Sequence, residues 1–148
     1  VPCRVGHGLI KKQMRKEGGY FAGELSSHYY FSTFFYTDNG DLTFLNIVKL
    51  LLSEGKPLSE LVAPLMRYYH TPEINSVVDD VRGKLALLKT VYSGGKMSEL
   101  DGLTVEFDDW WFNVRPSQTE PLLRLNLEAK TKEMMEEKTE EVLKIIRS

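Results

Sequence analysis

The chain has 148 residues, of which 42% are apolar, 11% aromatic and 27% charged, a composition typical of a globular protein with a buried core. This length suits one domain or two small ones. With 19 basic and 21 acidic residues the formal charge is −2, which excludes the strong basic field of a nucleic-acid-binding or membrane-surface protein. No apolar stretch approaches the roughly 20 residues of a membrane span, and the N-terminus lacks the regions of a signal peptide, so we expect a cytoplasmic protein.

The cysteine and histidine content argues against a disulfide and against a structural metal. Cys3 is the single cysteine, which excludes a disulfide within the chain. His7, His28 and His70 have no zinc-type spacing with it, so we predict no metal ligands in this chain. The first residue is Val1, which fits either a processed chain or a piece of a longer protein.

The start of the chain shows a strand followed by a helix. The stretch "VPCRV" predicts a short strand, and the next residues place Leu9, Ile10 and Met14 on one face of a helix that ends at two glycines. The aromatic-rich stretch 20–31 then predicts either a single strand or a strand whose end carries residues 24–28 in a loop.

Two helices follow the turn "DNGD". Asp41 is the predicted N-cap of a helix that is apolar almost all round, which predicts burial, and Gly55 closes this helix. A second helix begins near Pro57, and Pro64 ends or kinks it. The polar, proline-containing stretch 67–75 marks the predicted domain boundary.

The second part of the chain predicts strands flanked by two helices, a pattern typical of an α+β sandwich. The alternation of Leu123, Leu125 and Leu127 indicates a half-buried strand. The predicted elements are a strand at 73–78, a helix at 80–92, strands at "LTVEF", "WWFNV" and "LLRLNLEA", and a helix from Thr131 onward. The fold class predicted for the whole chain is α/β followed by α+β.

Glu24, Ser26 and His28 form the first candidate site, because they present an acid, an alcohol and a titratable ring at every second position. In a strand this spacing would aim all three side chains to one side, whereas a loop would remove that constraint. A carboxylate and a hydroxyl discriminate sugar hydroxyls, and an imidazole can move a proton near neutral pH. The alternative is an ordinary polar loop with a surface histidine.

The second candidate site is the loop "RPSQTEP", residues 115–121, between the last two predicted strands. Arg115 offers a planar fork of donors, and Ser117 and Thr119 offer hydroxyls. Together with the backbone N–H groups of a tight turn, these donors match the oxygens of a phosphate. The alternative is a polar hairpin loop held by serine and threonine turns.

Four segments, "GHGLIKKQM", "GELSSH", "DNGDLTFLNIVKLL" and "DWWFNVRPSQTEPLLRLNLEA", resemble one family and occur in its order. Each is similar to a segment of the phosphomannomutase/phosphoglucomutase branch of the α-D-phosphohexomutase superfamily. The resemblance implies that residues 1–69 form the latter part of the third, three-layer α/β domain. It also implies that residues 70–148 form the C-terminal phosphate-binding domain, an antiparallel sheet with two helices like that of the TATA-box-binding protein.

The resemblance implies an isomerase, an intramolecular phosphotransferase that interconverts hexose 1-phosphate and hexose 6-phosphate through a phosphoserine and a bisphosphorylated sugar. Glu24 and Ser26 would then hold sugar hydroxyls shared by glucose and mannose. By the same resemblance His28 transfers a proton and His7 faces the active site. The implied phosphate contacts are Arg115, Ser117, Gln118 and Thr119.

Two residues depart from the family pattern. Ser27 stands where glycine is usual, and it is strained if the loop requires a positive φ. Gln118 stands where asparagine or glycine is common, and it lengthens a side chain within the phosphate loop.

The phosphoserine loop and the magnesium loop of the family have no counterpart in these 148 residues. We therefore expect Mg²⁺ in the full-length parent only, and we expect this chain alone to be inactive. Its expected partners are hexose phosphates and the upstream domains of the same protein, with no nucleic acid and no membrane. The alternative is a non-catalytic sugar-phosphate-binding or interaction module, and nucleic-acid binding by the second sheet is disfavoured by the charge balance.

Overall fold

The computed structural model describes residues 1–117 and 120–148. By its internal contacts the chain divides into two compact units, Val1–Leu65 and Met66–Ser148. Across the described residues, no helix combines the length and the apolar character needed to cross a membrane.

The first unit contains three α-helices and three short strands. In chain order these are α1 (His7–Glu17), β1 (Phe21–Gly23), β2 (Tyr29–Phe31), β3 (Thr37–Asp38), α2 (Gly40–Glu54) and α3 (Leu58–Val62). The strands form one antiparallel sheet in the order β1, β2, β3, with Tyr30 opposite Asp38. Ile10 and Met14 of α1 pack with Tyr30 in a small core, as their helical spacing predicts, whereas Leu9 is 43% exposed.

Two local predictions for the first unit are wrong. Residues 1–5 form no strand, because no strand in the described part of the chain pairs with them. The N-cap of α2 is Asn39, two positions before Asp41, and its side-chain oxygen accepts a hydrogen bond from Leu42 N at 2.8 Å. Asp41 instead lies in the first turn, where a negative charge also suits the helix dipole.

The predicted burial of α2 is also wrong. None of its residues is buried, and Phe44, Leu45 and Leu52 are 67%, 60% and 80% exposed. An apolar sequence makes burial favourable, but burial also needs a second surface to pack against. No described element of the first unit covers these side chains.

The second unit is an antiparallel sheet with two helices. Its elements are β4 (Tyr69–His70), β5 (Ile74–Val77), α4 (Val81–Val91), β6 (Lys96–Ser98), β7 (Leu103–Glu106), β8 (Trp110–Pro116), β9 (Leu122–Ala129) and α5 (Lys132–Arg147). The sheet order is β4, β9, β8, β7, β6, and β5 also pairs with β9. The strands β4 and β6 are additional to the predicted elements, since each is too short to give a periodic signal.

The core of the second unit lies between the sheet and the helices α4 and α5. Leu123, Leu125 and Leu127 are each at most 1% exposed, which confirms the predicted alternation along β9. Val142 and Ile146 of α5 join the same core. Because alternate residues of β9 point inward, Arg124 lies on the opposite face of the sheet, and Arg115 faces it from β8.

We expect Leu125→Ala to destabilise the second unit by about 2 to 5 kcal/mol, because it removes a fully buried side chain from a packed core. The matched control is Val77→Ala on β5, where the side chain is 78% exposed and the change should stay within about 0.5 kcal/mol. Urea unfolding followed by tryptophan fluorescence measures both, since both tryptophans lie in β8. Equal losses for the two variants would contradict this core.

Candidate functional site

The connection between β1 and β2 places Glu24 to His28 in a hairpin loop, which selects the loop alternative over a continuous strand. Two backbone hydrogen bonds close it, from Glu24 N to His28 O at 2.9 Å and from Ser27 N to Glu24 O at 3.0 Å. Ser27 has a φ of 64°, the left-handed conformation that glycine adopts more easily. The backbone strain that follows from serine at this position is therefore present.

The Glu24 carboxylate is held by two hydroxyl donors. Tyr30 Oη donates to Glu24 Oε1 at 2.5 Å, and Ser26 Oγ donates to Glu24 Oε2 at 3.1 Å. Tyr30 is fully buried, and this burial, with the Glu24 hydrogen bond adding to it, raises the pKa of the tyrosine hydroxyl. The hydroxyl therefore stays protonated and keeps donating to the carboxylate.

His7 and His28 meet at the carboxylate of Asp38. Nδ1 of His28 lies 3.0 Å from Asp38 Oδ2, and Nδ1 of His7 lies 3.3 Å from Asp38 Oδ1. The centres of the two imidazole rings are 5.1 Å apart, and the angle between the ring planes is 74°. Because an ionised carboxylate only accepts hydrogen bonds, His28 donates to Asp38 through Nδ1, and its second ring nitrogen, Nε2, takes no part in this contact.

The first-unit site therefore joins the predicted residues to two others. Glu24, Ser26, His28 and His7 are brought together with Tyr30 and Asp38, and the rings of His7 and Tyr30 are 5.3 Å apart. Asp38 arrives through strand register, since β3 places it opposite Tyr30. Asp38 is the first residue of the "DNGD" turn in the sequence. Only the pairing of β2 with β3 shows that it lies beside the loop 24–28.

The ligand atoms of His7, His28 and Asp38 lie within 4.8 Å of one another, the one such group among the described residues. Two imidazoles with a single carboxylate do not suit Mg²⁺, which prefers octahedral oxygen ligands. The hydrogen bond from His28 to Asp38 and the ion-pair contact between His7 and Asp38 account for this arrangement, and we assign no metal to it.

In the second unit, Arg115 stands at the end of β8 and at the start of the predicted phosphate loop. The loop closes through a hydrogen bond from Ser117 N to Leu122 O at 2.9 Å. Gly102 allows the close approach of this strand, because a Cβ there would lie 2.8 Å from the Arg115 Cα. Gln118 and Thr119 lie outside the described residues.

Three charged residues that the sequence does not single out surround Arg115. Its Nη1 lies 3.3 Å from Asp101 Oδ2, and its Nη2 lies 3.5 Å from Glu73 Oε2. Glu73 Oε1 lies 3.3 Å from Nη1 of Arg124. Arg115, the predicted phosphate-binding residue, therefore contacts carboxylates on the face of the sheet opposite the core.

Both parts of the chain match models of one family. Residues 1–69 match the model described as phosphoglucomutase/phosphomannomutase, alpha/beta/alpha domain III, and residues 73–145 match the model described as its C-terminal domain. These matches define the class of protein as one built from phosphohexose mutase domains. The chain belongs to the phosphoglucomutase/phosphomannomutase family, and the resemblance and the fold class predicted from the sequence are confirmed.

Individual relatives agree with the family match. The phosphomannomutase of Methanocaldococcus jannaschii is 43% identical over 146 residues, which are 99% of this chain and 32% of that protein. A protein of Xanthomonas campestris named phosphohexose mutases is 39% identical over 152 residues, covering 99% of this chain and 34% of its own. The chain spans about a third of the length of the curated relatives it matches.

A solved structure shows the same fold. The phosphoglucomutase/phosphomannomutase family protein of Burkholderia thailandensis superimposes with a TM-score of 0.76 and 28% sequence identity. The superposition covers 95% of this chain and 31% of that protein.

The hydrogen bond from His28 predicts how Asp38 titrates. This hydrogen bond, with the nearby His7 as a smaller contribution, lowers the pKa of the Asp38 carboxyl below its ordinary value of 3.8. A carboxyl whose pKa is lower in the folded state stabilises that state above the ordinary pKa, and this stabilisation is lost as the pH falls through the folded pKa. We expect His28→Ala to raise the pKa of Asp38 toward 3.8, measured by NMR titration of the carboxyl carbon.

His70→Ala is the matched control for this titration. His70 lies in the second unit, where its Nδ1 is 3.2 Å from Thr71 O, so its loss should leave the Asp38 titration unchanged. An Asp38 pKa that is the same with and without His28 would show that the hydrogen bond does not form.

Proposed function

We propose that this chain is the sugar- and phosphate-binding part of a phosphohexomutase that interconverts hexose 1-phosphate and hexose 6-phosphate. The observation that supports this most is the cluster in the first unit, where an oriented carboxylate lies beside a histidine paired with an aspartate. Relatives named phosphomannomutase over the whole length of the chain support the same activity.

In this proposal Glu24 binds the sugar. Tyr30 and Ser26 hold its two oxygens in place, and each oxygen still has acceptor capacity for a sugar hydroxyl. A carboxylate repels phosphate, so this site reads the ring hydroxyls and leaves the phosphate to another part of the protein. If the Glu24 site binds only hydroxyls that glucose and mannose share, it accepts both sugars.

His28 is the proposed proton-transfer group. When a sugar hydroxyl attacks a phosphoryl group its proton must leave, and an imidazole can take it at neutral pH. Asp38 fixes the ring through Nδ1 and stabilises the cation that forms. His7 shares the same carboxylate and limits how Asp38 can move.

We propose that the phosphate that is not transferred binds to Arg115 and Ser117. The same proposal includes Gln118 and Thr119, which lie outside the described residues. A guanidinium followed by hydroxyls and the backbone of a closed loop supplies charge-assisted and neutral donors to one phosphate. We further propose that the first unit supplies sugar recognition and the second supplies phosphate recognition.

Mg²⁺ is expected in this family, but the described residues do not fit it. Their one group of three potential ligands has a single carboxylate and two imidazoles. We propose that the metal and the phosphoserine belong to segments outside these 148 residues, and that the unfused chain has no mutase activity.

A chimaera tests the proposed function. This chain would replace the matching third of the M. jannaschii phosphomannomutase, to which it is 43% identical. A coupled assay with mannose 1-phosphate and glucose 1-phosphate then measures turnover, with the unfused chain as the blank. A folded chimaera without turnover would favour the non-catalytic sugar-phosphate-binding or interaction module.

In the active chimaera we expect Glu24→Gln to lower kcat/KM about 5- to 30-fold for both sugars, because it removes the charge that strengthens hydrogen bonds worth roughly 1 to 2 kcal/mol. The matched control is Glu60→Gln on α3, an exposed glutamate in the same unit. A loss restricted to one sugar would show that Glu24 reads the C2 position, and no loss would exclude it from sugar binding.

A further inference from the structure

Arg115 and Arg124 lie directly opposite each other on β8 and β9. Like charges at directly opposite positions repel each other in an antiparallel pair, so this arrangement needs a compensating group. Glu73, just before β5, supplies it by reaching both guanidinium groups with its two oxygens, at 3.5 Å and 3.3 Å. Asp101 adds a second carboxylate at 3.3 Å from Arg115.

The carboxylate of Glu73 contacts both arginines, and a phosphate bound to both of them would need the same position. Both groups are anions that can present two oxygens to the two N–H donors of a guanidinium fork. With two arginines and two carboxylates the formal charge of this group is zero, so displacing a carboxylate increases the net attraction for a phosphate. The four side chains are 24% to 33% exposed, which leaves them accessible to a ligand in solution.

Arg124 also has an unused donor. Its Nε is buried and has no hydrogen-bond partner among the described residues, although buried N–H groups are normally paired. Once the groups that cover this donor move, a phosphate bound side-on by Nε and a terminal nitrogen of this arginine would satisfy it. Glu73 occupies only Nη1 of the same guanidinium.

We propose that Arg124 is a second cation of the phosphate site and that Glu73 competes with phosphate for Arg124 and Arg115. The proposal rests on the proposed role of Arg115 in phosphate binding, and it adds two residues to that site. Phosphate affinity is then set by the exchange of Glu73 for the ligand, and the arginines stay paired when no phosphate is bound.

Inorganic phosphate is the probe, titrated into the 148-residue chain at constant ionic strength. The side-chain Nε–Hε NMR signals of Arg115 and Arg124 report binding at each arginine. We expect Glu73→Gln to tighten phosphate binding about threefold to tenfold, since each partly exposed ion pair changes an equilibrium constant by up to about fivefold. We expect Arg124→Gln to weaken binding by about fivefold or more, and Arg124→Lys to restore part of it.

Two matched controls separate these effects from a general change in charge. Glu106→Gln removes a carboxylate that pairs with Lys96 on the same sheet, and Arg82→Gln removes an exposed arginine of α4. Neither should change phosphate affinity. If Glu73→Gln does not fold, as judged by the amide spectrum, Glu73→Ala and Asp101→Asn replace it, since each also frees a guanidinium from a carboxylate.

The outcomes distinguish this inference from the proposed function. Unchanged or weaker binding in folded Glu73→Gln would overturn the competition and show that Glu73 orients the arginines. Unchanged binding in Arg124→Gln would remove Arg124 from the site. If the wild-type chain shows no saturable phosphate binding, or if Arg115→Gln binds as tightly as the wild type, the proposed phosphate role of Arg115 itself fails.

Discussion

The hydrogen bond from a fully buried tyrosine to a loop carboxylate is the interaction on which the first-unit site depends. Tyr30 Oη is 2.5 Å from Glu24 Oε1, while the Tyr30 ring packs against Ile10 and Met14 and lies near the His7 ring. The core therefore fixes the Tyr30 ring, and the hydrogen bond from its hydroxyl restricts the motion of the Glu24 carboxylate at the surface. A carboxylate held in this way loses little conformational entropy when it binds a ligand.

The two proposed binding sites are organised by opposite electrostatic means. In the first unit the Glu24 carboxylate is held by neutral hydroxyls, so its full charge remains available to a ligand. In the second unit Arg115 is held by Asp101 and Glu73, so its charge is already compensated. Neutral partners orient a charged group without competing with a ligand for its charge. Charged partners orient the group and also compete with the ligand. Affinity for sugar hydroxyls and affinity for phosphate should therefore respond differently to ionic strength, the second more strongly.

The sequence predicts the elements whose signal is periodic and whose partner surface is present. The alternation of Leu123, Leu125 and Leu127 identifies a strand because the helices of the same unit cover that face of the sheet. The same reasoning fails for α2, where the apolar pattern is as clear but no described element of its unit covers it. Periodicity therefore states which residues favour burial, and a second surface decides whether they are buried.

The motifs predict part of each site, and strand register supplies the rest. Asp38 reaches His28 because β2 and β3 pair with Tyr30 opposite Asp38, and Arg124 meets Arg115 because β8 and β9 pair in the same manner. Register is set by packing and turn geometry over the whole hairpin, so spacing within a single motif does not contain it. Residues that complete a site from a neighbouring strand are thus missed by motif analysis.

Ser27 shows that the conformation of the first-unit loop is imposed on its residues. Its φ of 64° costs a serine roughly 1 to 2 kcal/mol, and a local preference alone would not place it there. The hydrogen bonds on either side of it, from Glu24 N to His28 O and from Ser27 N to Glu24 O, hold the turn closed. Opening the turn would relieve the strain but would separate Glu24 from His28. Strain of this kind persists where the surrounding contacts over-determine the backbone, and here those contacts are the ones that assemble the proposed sugar site.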